Sequence, residues 1–424
     1  MLDRIPRSSA PVGGDSRRWS IALLVSAAIA ISYLDRQTLP WAITAIQADI
    51  PIGYQVKALL DSAFLLTYGL MYLGGGWPLD RLGTRRGFLV IMIFWSLACA
   101  SHGLAGGVLM LAASRLLLGA GEGGGFPAAT RAVAEWFPVN ERATAMGIIN
   151  AGTAVGSVAA PPLIALVLTQ VHWLDLASWR WVFFLTGGLG LLWTLWWWRS
   201  YFPPTESGGA ETAPAEPAIT LRMLLRFREI QGVAGAKFLS DAAWYFYLFW
   251  LPKYLFDARH FDIKQAGSVG WIPYAAAGVG CLGGGLLSSG LLRRGCSVNF
   301  ARKAALGASA ALMPWVIFVP HVPSVAWVIA IFSLAFFGQQ SWSTLVMILP
   351  TDLVPRQALG RVAGLVGLGG AMGGIVLGQS AGWLLDHGFS YAPVLAVAGS
   401  LHLVAFALLC ATIPKIQPLH FSNA

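Results

Sequence analysis

The chain has 424 residues, of which 56% are hydrophobic and only 11% charged, with a net charge of +9 and a mean hydropathy of +0.65. Soluble domains carry about 25% charged residues, so this composition excludes a soluble enzyme. The basic balance has to be explained by where the charges fall before nucleic acid is considered as a partner.

In chain order, apolar runs fall at 19–47, 57–78, 87–106, 107–131, 141–170, 179–201, 230–256, 265–292, 301–320, 324–348, 358–385 and 390–413. Runs of about 20 residues match the thickness of a bilayer when helical. They lack the period-2 alternation of barrel strands. The expectation is an all-α membrane protein of twelve transmembrane helices in two pseudo-symmetric six-helix bundles. Residues 1–18 are then an N-terminal tail, 19–202 the first bundle, 203–229 a linker rich in Pro, Gly and Glu, 230–414 the second bundle and 415–424 a C-terminal tail. The basic-then-apolar start is too long for a signal peptide and is the first span.

With both termini on one side, that side holds Arg4, Arg7, Arg17, Arg18, Arg81, Arg85, Arg86, Arg142, Arg222, Arg226, Arg293 and Arg294, among others. The other side holds Lys57, Arg180, Lys253, Arg259 and Lys264. Such asymmetry is the positive-inside rule. It predicts a multi-pass protein of the plasma (inner) membrane with cytoplasmic termini, and it removes the case for nucleic acid. The four cysteines (Cys99, Cys281, Cys296, Cys410) have no metal-ligand spacing. No metal or cofactor is expected, nor any enzymatic nucleophile–base set.

The halves are related by an internal repeat. Phe137-Pro138 with Gly147, Gly152 and Gly156 returns as Val354-Pro355 with Gly364, Gly369 and Gly373, at one offset of 217 residues. Parallel six-helix repeats build transporters whose site lies between the halves near the bilayer midplane. The glycines spaced four apart also let helices approach closely. Gly119, Gly121 and Gly124 fit a dinucleotide pattern, but they sit inside an apolar helical run with no preceding strand.

Asp35 and Arg36 interrupt the first span, and Arg115 and Glu122 the fourth. Each costs at least about 2.5–3.5 kcal/mol at a helix centre, and such residues mark pathways or relays. Arg115 and Glu122 are two helical turns apart and share a face; Tyr33 and Arg36 share another. A guanidinium fork suits bidentate capture of a carboxylate, and a carboxyl stripped of water takes up protons more readily. These groups are what anion–proton symport requires at minimum, while two internal ion pairs are the plainer alternative. The second half offers Trp244 and Tyr247, Trp271 and Tyr274, and then Gln339, Gln340 and Trp342, which suit a polyhydroxylated ligand. Lys237 and Asp241, four apart, are expected to pair locally near the cytoplasmic interface.

The stretch Gly76-WPL-Asp80-Arg81-Leu-Gly83-Thr-Arg85-Arg86 resembles the loop motif between helices 2 and 3 of the major facilitator superfamily. In that family the motif is conformational. ISYLDRQTL and RLLLGAGEGGGFPAA resemble the anion:cation symporter family, and KFLSDAAWYFYLFWLPKYL resembles its hexuronate and sugar-acid branch. The resemblance implies Arg36 and Arg115 on a substrate carboxylate, with Tyr33 and Tyr68 beside it. It further implies Asp35 and Glu122 as proton-coupling acids, and Asn150 and Thr153 as polar contacts. The expected partners are a small organic anion, protons (or sodium) and the lipid bilayer, for a monomer. The chain departs from the branch at Ala242-Ala243 and at QQSWSTL. A carrier of aromatic or dicarboxylic anions is therefore the alternative; a drug antiporter or a non-transporting sensor fits the two arginines less well.

Overall fold

The computed structural model describes residues 15–138, 141–203 and 220–419. The outer parts of both tails, with Arg4 and Arg7, and linker residues 204–219 lie outside the described residues. The first half contains α1 (Asp15–Gln47), α2 (Tyr54–Gly74), α3 (Trp77–Ser101), α4 (Val108–Glu122), α5 (Gly125–Trp136), α6 (Arg142–Gln170) and α7 (Ser178–Ser200). A short α8 (Leu221–Leu224) precedes the second half. That half contains α9 (Arg228–Arg259), α10 (Ile263–Val269), α11 (Ile272–Arg293), α12 (Val298–Ala311), α13 (Val325–Leu353), α14 (Arg356–Asp386) and α15 (Ala392–Thr412).

Among the described residues the fold is all-helical, and its helices account for the twelve expected spans. Ten stretches among the described residues are long and apolar enough to span a membrane by length and composition. The other two crossings are α4 with α5, and α9, which carries Lys237, Asp241 and Lys253. Three expected spans are broken. The fourth divides at Gly123-Gly124, and the eighth divides at Gly270-Trp271. The ninth ends as a helix at Ala311 and continues as a tighter 3-10 turn over Pro314–His321. Glycine lowers the cost of such breaks, and Pro314 and Pro320 withhold backbone donors. In each case the apolar run continues across the break, so composition alone hides it.

The repeated glycines set the packing. A Cβ on Gly156 would lie 2.0 Å from the carbonyl oxygen of Ala30, and one on Gly373 would lie 1.9 Å from that of Phe238. Thus α6 lies on α1 as α14 lies on α9. Gly119 packs in the same way against the Phe64 carbonyl and Gly121 against Trp95, which accounts for the glycine-rich pattern as helix contact. The halves meet where α2 lies along α14, α1 on α9, and α6 on α10 and α11.

At the end opposite the termini the seam is closed by polar contacts. The Asp386 carboxylate accepts from the backbone N–H of Tyr54 at 3.0 Å and of Gln55 at 2.8 Å, capping α2 from the other half because Gly53 has no side chain to do so. Asp257 accepts from Tyr54 at 2.9 Å and from Lys253 at 2.8 Å. Gln55 donates to Gln379, which donates in turn to Ser62. Toward the termini-bearing end, α6 and α11 touch at Ala154 and Gly278, beyond which Gly147, Gly285 and Gly290 face open space.

Candidate functional site

The midplane charges come from α1 and α4. Arg36 is 2% exposed and donates from Nε and Nη2 to Glu122 Oε2 at 3.2 and 2.9 Å. Ser32, one turn earlier on α1, donates to the same oxygen at 2.8 Å. The other oxygen, Oε1, has no partner. The Arg36 guanidinium lies 4.6 Å from the ring centroid of Tyr33 and 4.4 Å from that of Tyr68. This contact adds cation–π attraction to a charge already paired.

Arg115 is different. It is 1% exposed, sits 5.8 Å from the Phe64 ring, and its Nε and Nη2 have no partner. Asp35 points away from Arg36 into the first bundle. It lies beside Trp95, Cys99 and Thr186, and neither of its oxygens makes a well-formed hydrogen bond. The expected alternative of two internal ion pairs therefore holds for Arg36 with Glu122 and fails for Asp35 and Arg115.

Beside this centre a narrow crevice of about 10 Å³, room for about one water, lies between the halves, lined by Tyr33, Thr153 and Ser157 from the first and Trp244, Tyr274, Cys281 and Gln340 from the second. Trp244 packs edge-on against Phe336, which fixes its ring at the cavity wall. The profile of the Major Facilitator Superfamily matches residues 25–378. The chain belongs to that superfamily. It is a transporter and not an enzyme. It is 29% identical to the D-galactonate transporter of Escherichia coli O6:H1 (strain CFT073) over 94% of this chain and 96% of the relative. It is 28% identical to the hexuronate transporter of Escherichia coli K12 over 95% of both. The crystal structure of a D-xylose-proton symporter shares the fold, with a TM-score of 0.76 at 15% identity over 95% of this chain and all of that one.

Several sequence-selected residues of this facilitator lie away from the cavity. Tyr247 stacks on Phe336 and meets Phe332 edge-on inside the second bundle. Trp342 is fully buried against His402. Asn150 is exposed, and its carbonyl accepts from Thr153. Gln339, not Gln340, is the deeply buried amide, bonded to His402. Lys237 and Asp241 do pair, at 2.9 Å, but they are buried within the second bundle, where Lys237 also donates to Ser343, and not at its edge.

The loop motif lies at the termini-bearing end. Gly83 has φ of +73°, a conformation glycine adopts without steric penalty. Asp80 accepts from Arg131 at 2.9 Å, Arg81 stacks on Trp77, and Arg85 donates to the Trp198 carbonyl while lying on the Trp198 and Phe202 rings. Gly76 precedes α3 and Arg86 is exposed. Tyr201 donates to Glu135; burial and that carboxylate push its hydroxyl well above the usual value, so it stays a donor. Lys57 and Lys253, read as flanking charges, are both buried. Asp61 and Tyr245 are buried too, and neither stands among the sequence-selected residues.

Proposed function

We propose that this facilitator carries a monoanionic sugar acid, a hexuronate or hexonate, together with protons, by alternate opening of the two ends around the midplane site. The observation that carries the reading is Arg115, a buried guanidinium with two unpartnered nitrogens. An unpaired buried charge is costly, and a carboxylate arriving at the fork satisfies both nitrogens at once. Arg36 already holds Glu122, so a substrate carboxylate that draws on Arg36 releases Glu122 to bind a proton. Partner exchange of this kind links substrate and proton. Asp35, buried without partners, is the second proton site.

Trp244, Tyr274, Thr153 and Gln340 offer an aromatic face, hydroxyls and an amide to the sugar hydroxyls, and Tyr33 and Tyr68 frame the Arg36 end. The D-galactonate and hexuronate carriers among the relatives support the substrate class. The positive-inside asymmetry supports cytoplasmic termini, and on that reading the closed end is the outer one. Asp80, Arg81, Gly83, Arg85, Arg86 and Gly76 act in the rocking and not in substrate reading. Uptake of labelled D-galactonate and D-glucuronate into proteoliposomes, with and without an inward proton gradient, tests this. Gradient-stimulated accumulation is expected; uptake indifferent to the gradient would refute proton coupling.

A further inference from the structure

Lys57, one turn into α2, is fully buried. Its ammonium donates to Asp61 Oδ2 at 2.7 Å and to the carbonyl of Phe249 at 3.0 Å, and it lies 4.2 Å from the Trp250 ring centroid. Phe249 and Trp250 belong to the other half. Pro252 lies within α9 and has no N–H to serve the Leu248 carbonyl. Tyr274 donates to that carbonyl at 3.4 Å, and Lys57 takes the next one along the chain. Asp61 Oδ1 has no partner, and the Arg115 guanidinium lies 5.8 Å from the ring of Phe64, which shares a face of α2 with Asp61 three residues earlier. A buried acid therefore stands between two buried cations, bonded to one and not to the other.

We propose that Lys57 and Asp61 form a charge-sensing tie, through which an anion on Arg115 tightens closure of the end opposite the termini. The inference rests on Arg115 being the carboxylate site. Before an anion reaches Arg115, the attraction of Asp61 is divided between two cations, so the contact of Lys57 with the Phe249 carbonyl, already made at 3.0 Å, is weaker than it becomes once Arg115 is neutralised. A carboxylate on Arg115 neutralises it, Asp61 turns wholly to Lys57, and the ammonium is held on the Phe249 carbonyl. Lys57 and Asp61 are positioning residues. They touch the gate and act on substrate only through Arg115.

The test uses the full-length protein in nanodiscs, with D-galactonate and D-glucuronate as probes, calorimetry for affinity and hydrogen exchange at residues 54–62 for closure. In the unaltered protein the probe slows exchange there. Lys57→Met leaves Asp61 to compete for Arg115, and affinity falls about tenfold, within the usual range of coupling between sites. Lys57→Met with Asp61→Asn removes both charges: affinity returns to near that of the unaltered protein, but the probe no longer slows exchange. Folding is controlled separately by the melting temperature of each variant, because Asp61→Asn would also rescue a single variant that fails only through its unpaired buried acid. Unchanged affinity in Lys57→Met, a double variant as weak as the single one, or exchange still slowed by probe in the double variant would each overturn the tie. Arg115→Gln separates the two readings. If it binds the probes normally, the carboxylate assignment fails and the tie with it; if it loses binding while the Lys57 variants behave like the unaltered protein, the tie alone fails.

Discussion

Gly156 rests on Ala30 and Gly373 rests on Phe238, and aligning those two contacts sets Arg36 of α1 against Trp244 of α9 and Asp35 against Ala243. The offset of 217 residues that relates the glycines sets Arg115 against Phe332 and Glu122 against Gln339. At equivalent places in one helix scaffold, the first half has charges and the second has aromatic rings, an alanine and an amide. The second half is not free of charge, but Lys237 and Asp241 pair on a single helix, whereas Arg36 and Glu122 come from helices 86 residues apart. Charges paired within one helix move as a unit unless a charge on another helix competes, as proposed for Arg115 beside Lys57 and Asp61. Charges shared between helices can change partners, and coupling requires that. The lesson is a division of labour: the first half reads charge and the second reads shape and hydroxyls.

The sharpest break of that comparison is Glu122→Gln. Gradient-driven accumulation of D-galactonate in proteoliposomes should fall more than about tenfold, because the proton carrier is gone, while exchange of internal for external substrate persists. Equal loss of both would make Glu122 structural. Next comes the scaffold itself. Gly156→Ala and Gly373→Ala each force a Cβ into a carbonyl oxygen, and each should destabilise by about 1–3 kcal/mol, read as similar falls in melting temperature. Markedly unequal falls would undo the equivalence of the halves. On the hydroxyl-reading side, Gln340→Ala should weaken sugar-acid binding by about 1 kcal/mol and leave binding of a deoxygenated carboxylate unchanged. The smallest effect is expected for Tyr247→Phe, whose lost hydroxyl has no partner: substrate affinity should be unchanged in the same calorimetric assay.

Much of the fold was legible because bilayer length dictates the size of apolar runs, and the repeat glycines announced the close helix pairs. The breaks at Gly123 and Gly270 were not, since the apolar run passes through both. In the site, Arg36, Arg115, Asp35 and Glu122 stood out as charges in apolar helices, yet which of them pair depends on side-chain direction across helices, and only Arg36 and Glu122 do. Lys57 was missed because it opens an apolar run and looks like a flanking charge. Its spacing of four from Asp61 is the same signal that exposed Lys237 with Asp241. Tyr245 was passed over for Trp244 and Tyr247 on turn spacing, a guide of little use in α9, which is buried on nearly every side from Ile230 to Leu255.

The most direct test of the central claim is the affinity of purified Arg115→Lys for D-galactonate by calorimetry. Lysine keeps the positive charge and discards the planar fork. A fall in affinity of about tenfold or more, from the loss of one charge-assisted hydrogen bond, is the result expected if both free nitrogens of Arg115 meet the carboxylate. Affinity equal to that of the unaltered protein would contradict that contact and, with it, the assignment of charge reading to the first half.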